Sequence, residues 1–118
     1  MATSGVETRE NHAKAAEAFV EAVQERSVPG IANLFLFGST ARGEATGLSS
    51  DVDFLAVIAD DADRDAVVEA LEDLAYDAML EHGPVVEVHV LTRSEFERRR
   101  ERGDPLVRRV LHEGRSYG

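Results

Sequence analysis

Apolar positions along the chain recur with two different periods, and the switches between them mark the elements. Between residues 10 and 26, Ala15, Ala18, Phe19, Ala22 and Val23 fall three or four apart, the spacing of one face of an amphipathic helix. The Ser-Val-Pro-Gly that follows ends it. Residues 31–37, Ile-Ala-Asn-Leu-Phe-Leu-Phe, are a short apolar run that reads as a buried strand. Residues 38–43 turn the chain, with a short helix as an option, and residues 44–50 read as a loop. Residues 51–58, Asp-Val-Asp-Phe-Leu-Ala-Val-Ile, read as a second strand. Strand side chains alternate, so Asp51, Asp53, Leu55 and Val57 share a face. The acidic residues from Asp60 to Asp65 supply a helix cap and favourable charge at a helix N-terminus. The next helix carries Val67, Val68, Leu71, Leu74, Ala75 and Ala78 on one stripe and stops at Gly83-Pro84. Residues 85–92 read as a third strand, with Glu87 and His89 on one face and Val86, Val88 and Val90 on the other. A helix capped by Ser94 follows. A last helix carries Pro105 in its first turn and Gly114 as its C-cap. This order predicts an α/β (α+β) domain: a small mixed sheet of three to four strands with helices packed against it.

Size allows no more than that. A chain of 118 residues suits one domain and buries roughly two-thirds of its unfolded surface. We expect residues 1–9 to be a flexible N-terminus and residues 10–118 to form the domain. No apolar run approaches the ~20 residues of a membrane span. The polar N-terminal stretch has no signal-peptide core, so a cytoplasmic location is expected. Zero Cys removes disulfides, thiol catalysis and Cys-ligated zinc.

Charge narrows the partners. Asp and Glu total 23 against 13 Lys and Arg, a net of −10, and Lys14 is the only lysine. Phosphate backbones need a cationic surface, so direct nucleic-acid binding is not expected. The short basic stretch at residues 97–103 reads as a solvated helix face. An acidic, lysine-poor surface also resembles the proteins of salt-in halophiles, against the plainer reading of an ordinary acidic protein. A melting temperature that rises from low salt to molar KCl is the outcome the halophile reading requires.

The chemistry concentrates in residues 34–54, Leu-Phe-Leu-Phe-Gly-Ser-Thr-Ala-Arg-Gly-Glu-Ala-Thr-Gly-Leu-Ser-Ser-Asp-Val-Asp-Phe. Alone, Gly38-Ser39 is only a turn after a strand, and Asp51-x-Asp53 only a solvated strand end. Together they say more. Two like charges on one half-buried face cost free energy unless a cation or hydrogen bonds offset them. Mg2+ is the natural partner, because it takes one or two carboxylates and fills its shell with waters and substrate phosphates. A Gly-Ser turn offers backbone N–H groups to such phosphates. Ser39 adds a hydroxyl, and Arg42 a nearby cation. The stretch therefore points to metal-assisted phosphoryl or nucleotidyl transfer.

Gly38, Ser39, Arg42, Gly43, Ser50, Asp51 and Asp53 resemble the signature of minimal nucleotidyltransferase (MNT) domains of the DNA polymerase β-like superfamily. The resemblance extends to the element order over most of residues 10–114. It implies the nucleotidyltransferase fold, ATP bound with Mg2+, and transfer of its nucleotide to a hydroxyl. Carried over, Gly38 and Ser39 hold the triphosphate, with Arg42 and Ser50 beside them, and Asp51 and Asp53 hold the metal. The superfamily has a third carboxylate on the neighbouring strand. Aligned through Val90-Leu91-Thr92-x-x-Glu95-Phe96, that position falls on His89, while Glu87 lies two residues earlier on the same face. We assign Glu87 to the catalytic and metal set, with His89 as the alternative. His12, His82 and His112 have no ligand spacing to one another, and His12 reads as solvated.

Small stand-alone MNT proteins resemble the antitoxins of HEPN–MNT pairs. That resemblance implies a HEPN ribonuclease toxin as partner and transfer of AMP to a hydroxyl on that protein. Two alternatives stand beside it: a catalytically weak or inactive antitoxin that neutralises by binding, motivated by the missing third acid, or a subunit of a small-molecule nucleotidyltransferase. Homo- and hetero-oligomers are both compatible with the sequence.

Overall fold

The computed structural model describes residues 4–42 and 51–117, with side chains from residue 10 onward. The elements run α1 (Ser4–Arg26), β1 (Ile31–Phe37), β2 (Val52–Ile58), α2 (Arg64–His82), β3 (Val86–Thr92), α3 (Arg93–Glu101), α4 (Pro105–Glu113) and β4 (Arg115–Ser116). The strands form one mixed sheet in the order β3-β2-β1-β4. β1 pairs antiparallel with β2 and with β4, whereas β2 and β3 are parallel, with α2 as the crossover between them. The predicted α/β class and small mixed sheet are what the chain adopts. No described helix is long and apolar enough to cross a membrane.

Alternation along the strands sends their side chains into two separate apolar layers. Val52, Phe54, Ala56 and Ile58 of β2 face α1 and α2, where they meet Ala15, Phe19, Val23, Leu71, Leu74 and Ala78. Phe19 and Phe54 touch at 4.7 Å between ring centroids. Leu55 and Val57 face the other way and pack with Phe37, Leu91, Phe96, Val107 and Val110 beneath α3 and α4. Asp53 belongs by alternation to this second face, at its end.

Several boundaries differ from the sequence reading. α1 begins at Ser4, about 1.7 turns before residue 10. His12 is not solvated but 3 % exposed, inside the buried stripe that continues through Ala15, Ala16, Phe19 and Val20. The cap of α3 is Thr92, not Ser94. The Thr92 hydroxyl accepts from the Glu95 N–H, and the Glu95 carboxylate accepts from the Thr92 N–H, a complete capping box. Ser94 instead donates to Asp60 through both its backbone and its hydroxyl. Asp63 caps α2 and Asp104 caps α4, with Pro105 in the first turn as predicted. Residues 39–42 form turns without a helix. Leu111, on α4, is exposed.

Candidate active site

Register builds the site. In the β1–β2 pairing Phe37 lies opposite Asp53, so Gly38, one residue on, turns the chain directly beside that carboxylate. Gly38 takes φ +79°, and a Cβ there would sit 2.8 Å from Asp53 Oδ2. Only glycine satisfies both conditions, because other residues are strained in that conformation and would displace the carboxylate. In the parallel β2–β3 pairing Glu87 lies beside Asp53 and His89 beside Leu55. One donor atom each from Asp53, Glu87 and His89 gathers within 4.8 Å.

The electrostatics follow from this crowding. Asp53 is half-buried, and burial is the main reason its pKa rises from 3.8 to about 6. The charges of Glu87 and Asp51 push it further up, while His89 and Arg109 pull it down. A carboxylate held in so anionic a place favours an added cation or a proton. The donor set therefore fits a divalent ion. Asp51 precedes β2, half-buried, and acts on Asp53 through its charge, but it is not one of the three groups within 4.8 Å.

The Gly-Ser turn is tied from a distance. Glu113, in the last turn of α4, accepts from the Gly38 N–H at 3.3 Å and from Arg42 Nη1 at 2.6 Å. The Arg42 hydrogen bond is the main cause that holds the Glu113 carboxyl below its ordinary range. Arg109, one helical turn earlier, reaches Glu113 at 3.7 Å and lies 5.6 Å over the Phe37 ring. Phe37 also meets the His89 ring at 5.9 Å between centroids. Ser39 sits half-buried in the turn. The next residue, Thr40, has a buried hydroxyl with no hydrogen-bond partner among the described residues.

Of the sequence-predicted residues, the structure thus brings Gly38, Asp53 and Glu87 together, with Asp51 close by. Arg42 is joined to the turn through Glu113. Ser50, like Gly43, lies outside the described residues. Glu113 and Arg109 were not anticipated. Their i, i+4 spacing on an amphipathic helix is the only local signal they carry, and the partners they meet are more than 70 residues away in sequence.

Solved structures that share this fold include two toxin–antitoxin proteins. A crystal structure of a toxin–antitoxin with AMP-PNP superposes with a TM-score of 0.58, at 21% identity over 86% of this chain and 72% of that one. A mutant of the toxin–antitoxin MntA–HpeT gives a TM-score of 0.59 at 19% identity, over 86% of this chain and 72% of that one. At these identities the likeness is one of fold. Among curated proteins no relative matches the chain significantly. The sequence motif and the mixed sheet that carries it agree with a family model that spans residues 16–117, and the chain belongs to that family, the nucleotidyltransferase domain.

Proposed function

We propose that this nucleotidyltransferase domain moves AMP from ATP to a hydroxyl on a partner protein, and that the partner is a HEPN ribonuclease toxin which the chain restrains as its antitoxin. The observation that carries the enzymatic part is the contact between the Gly38 turn and Asp53, with Glu87 on the adjacent strand. A turn able to receive phosphates and a carboxylate pair able to receive a cation meet at one point. The toxin–antitoxin structures of the same fold, one of them with AMP-PNP, support the partner class and the nucleotide.

In this reading Gly38 and Ser39 contact the triphosphate through the turn's N–H groups and the Ser39 hydroxyl. Arg42 and Arg109 offset phosphate charge, and Ser50 belongs to the same nucleotide-binding set. Asp51, Asp53 and Glu87 form the metal and catalytic set. One carboxylate of this set can orient the attacking hydroxyl and take up its proton. A bound divalent ion such as Mg2+ would supply charge neutralisation for the phosphates. ATP is the expected substrate.

Label transfer tests this. The protein, the product of the neighbouring gene and radiolabelled ATP are incubated with Mg2+, comparing wild type with Asp53→Ala. Label appears on the partner with wild type and is lost with the variant. Equal labelling by both removes Asp53 from the site.

One feature favours a second reading, in which the chain neutralises its toxin by binding alone. Both the Gly38 N–H and Arg42 are engaged by Glu113, so a nucleotide must displace a carboxylate to use them. Failure of ATP to bind at millimolar concentration with Mg2+ decides for that reading.

A further inference from the structure

The third strand departs from an all-carboxylate site, and the departure has chemical content. His89 takes the position beside Leu55, one pleat repeat along from the Asp53–Glu87 pair, on the same sheet face. Its Nε2 lies 3.9 Å from Glu87 Oε1. One ion with metal–ligand distances of ~2.1 Å holds its donors ~3–4.2 Å apart. Small side-chain rotations therefore suffice to gather donors already within 4.8 Å of one another.

Two further observations mark this as a place prepared for a ligand. Gly38 brings no side chain up to Asp53 Oδ2, where even a Cβ would lie 2.8 Å from that oxygen. The His89 imidazole is flanked by Phe37, which is itself buried and lies under the Arg109 guanidinium. That tilted ring contact, 5.9 Å between centroids, leaves Nε2 toward Glu87 at 3.9 Å.

We propose that His89 joins the metal ligands, so that with Asp51 beside them Asp53, Glu87 and His89 form a centre of two carboxylates and one imidazole that selects Mn2+ over Mg2+. The proposal rests on the nucleotidyltransferase reading and specifies its metal. Mg2+ is a hard cation that prefers oxygen and accepts imidazole poorly. First-row transition ions gain from a nitrogen donor, and Mn2+ is the member of that series that also suits carboxylate and water ligands. Replacing a third carboxylate by imidazole lowers the negative charge of the site while adding a borderline donor. Both changes penalise Mg2+ relative to Mn2+.

The experiment is metal binding to the full chain without nucleotide. Calorimetric titrations with Mn2+ and with Mg2+ are compared, and pulsed EPR of the Mn2+-loaded protein looks for coupling to an imidazole nitrogen. Mn2+ is expected to bind ~10-fold or more tightly than Mg2+, with the nitrogen coupling present. His89→Ala removes the coupling and most of the preference, and His89→Asp shifts the preference toward Mg2+. Equal affinities for the two ions in the wild type, or Mn2+ bound without nitrogen coupling, overturn the proposal. The EPR arm uses the unmutated protein, so it decides even where a variant fails to fold. The outcomes also separate this proposal from the function it rests on. Label transfer with Mg2+ and no nitrogen coupling sinks the His89 ligand alone. Nitrogen coupling with no label transfer keeps the metal centre and sinks the transferase reading.

Discussion

The two faces of the sheet differ in how far they are covered. The face toward α1 and α2 is apolar from one end of β2 to the other, Val52 through Ile58, and its side chains meet two long helices. On the face toward α3 and α4, β2 is apolar only at Leu55 and Val57, beneath two nine-residue helices. Where that cover ends stand Asp53, Glu87 and His89. The same strand therefore serves as core on one side and as a boundary between core and chemistry on the other. A short cover is what leaves the carboxylates within reach of a ligand while still desolvating Asp53.

This contrast sets an order of effects. Phe54→Ala removes a fully buried ring in contact with Phe19 on the closed face. It should cost ~3–5 kcal/mol in denaturant unfolding. Phe96→Ala acts on the partly covered face, where the ring is 9 % exposed and stacks on Phe35. A loss of ~2–3 kcal/mol is expected, because its neighbours and water can close part of the gap. If Phe96→Ala proves as damaging as Phe54→Ala, the two layers are not unequal and the contrast fails.

Gly38→Ala comes next. Its positive φ and the nearby Asp53 oxygen together should cost ~1–2 kcal/mol, and divalent-ion affinity should fall with it. Unchanged metal binding would show that the space beside Asp53 is not needed.

Asp53→Asn has the smallest effect on stability and the opposite sign. Its carboxyl has a pKa of about 6 when folded against 3.8 ordinarily, so between those values the folded chain binds more proton than the unfolded one. Stability without metal must then fall as pH rises through that window and stay lowered above it. Asn removes the penalty. After allowance for solvent screening, the variant should be ~1 kcal/mol more stable than wild type above about pH 7, with a flatter pH profile. Thermal melts across that range measure it. A variant less stable than wild type above about pH 7 would show that Asp53 is not held against its charge.

What the sequence revealed follows the range of the interactions concerned. The strands β1, β2 and β3 and the stripe of α2 come from a short apolar run, alternation and helical spacing, which are local. So do Gly38 and Asp53, because a strand, a turn and the next strand pair fix their proximity. The Thr92 cap was hidden because Ser94 satisfies the same local rule, and Asp60, 34 residues earlier, captures Ser94 instead. His12 looked solvated among polar neighbours, yet it falls on the buried stripe once α1 extends to Ser4. β4 has two residues and thus no alternation to read. Glu113 and Arg109 act on the site through contacts that no local pattern encodes.

Glu113 reaches Gly38 across 75 residues of chain. Synthesis runs from the N-terminus, so Gly38, Asp53 and Glu87 leave the ribosome well before the carboxylate that ties the turn. Until α4 emerges the turn exists without its clasp. Emergence of α4 and its neighbour β4, which pairs with β1 and draws the Tyr117 N–H onto Leu34 O at 2.8 Å, is the event that brings the last contacts to the turn. The direction of synthesis thereby acts as a timer on the site's maturation.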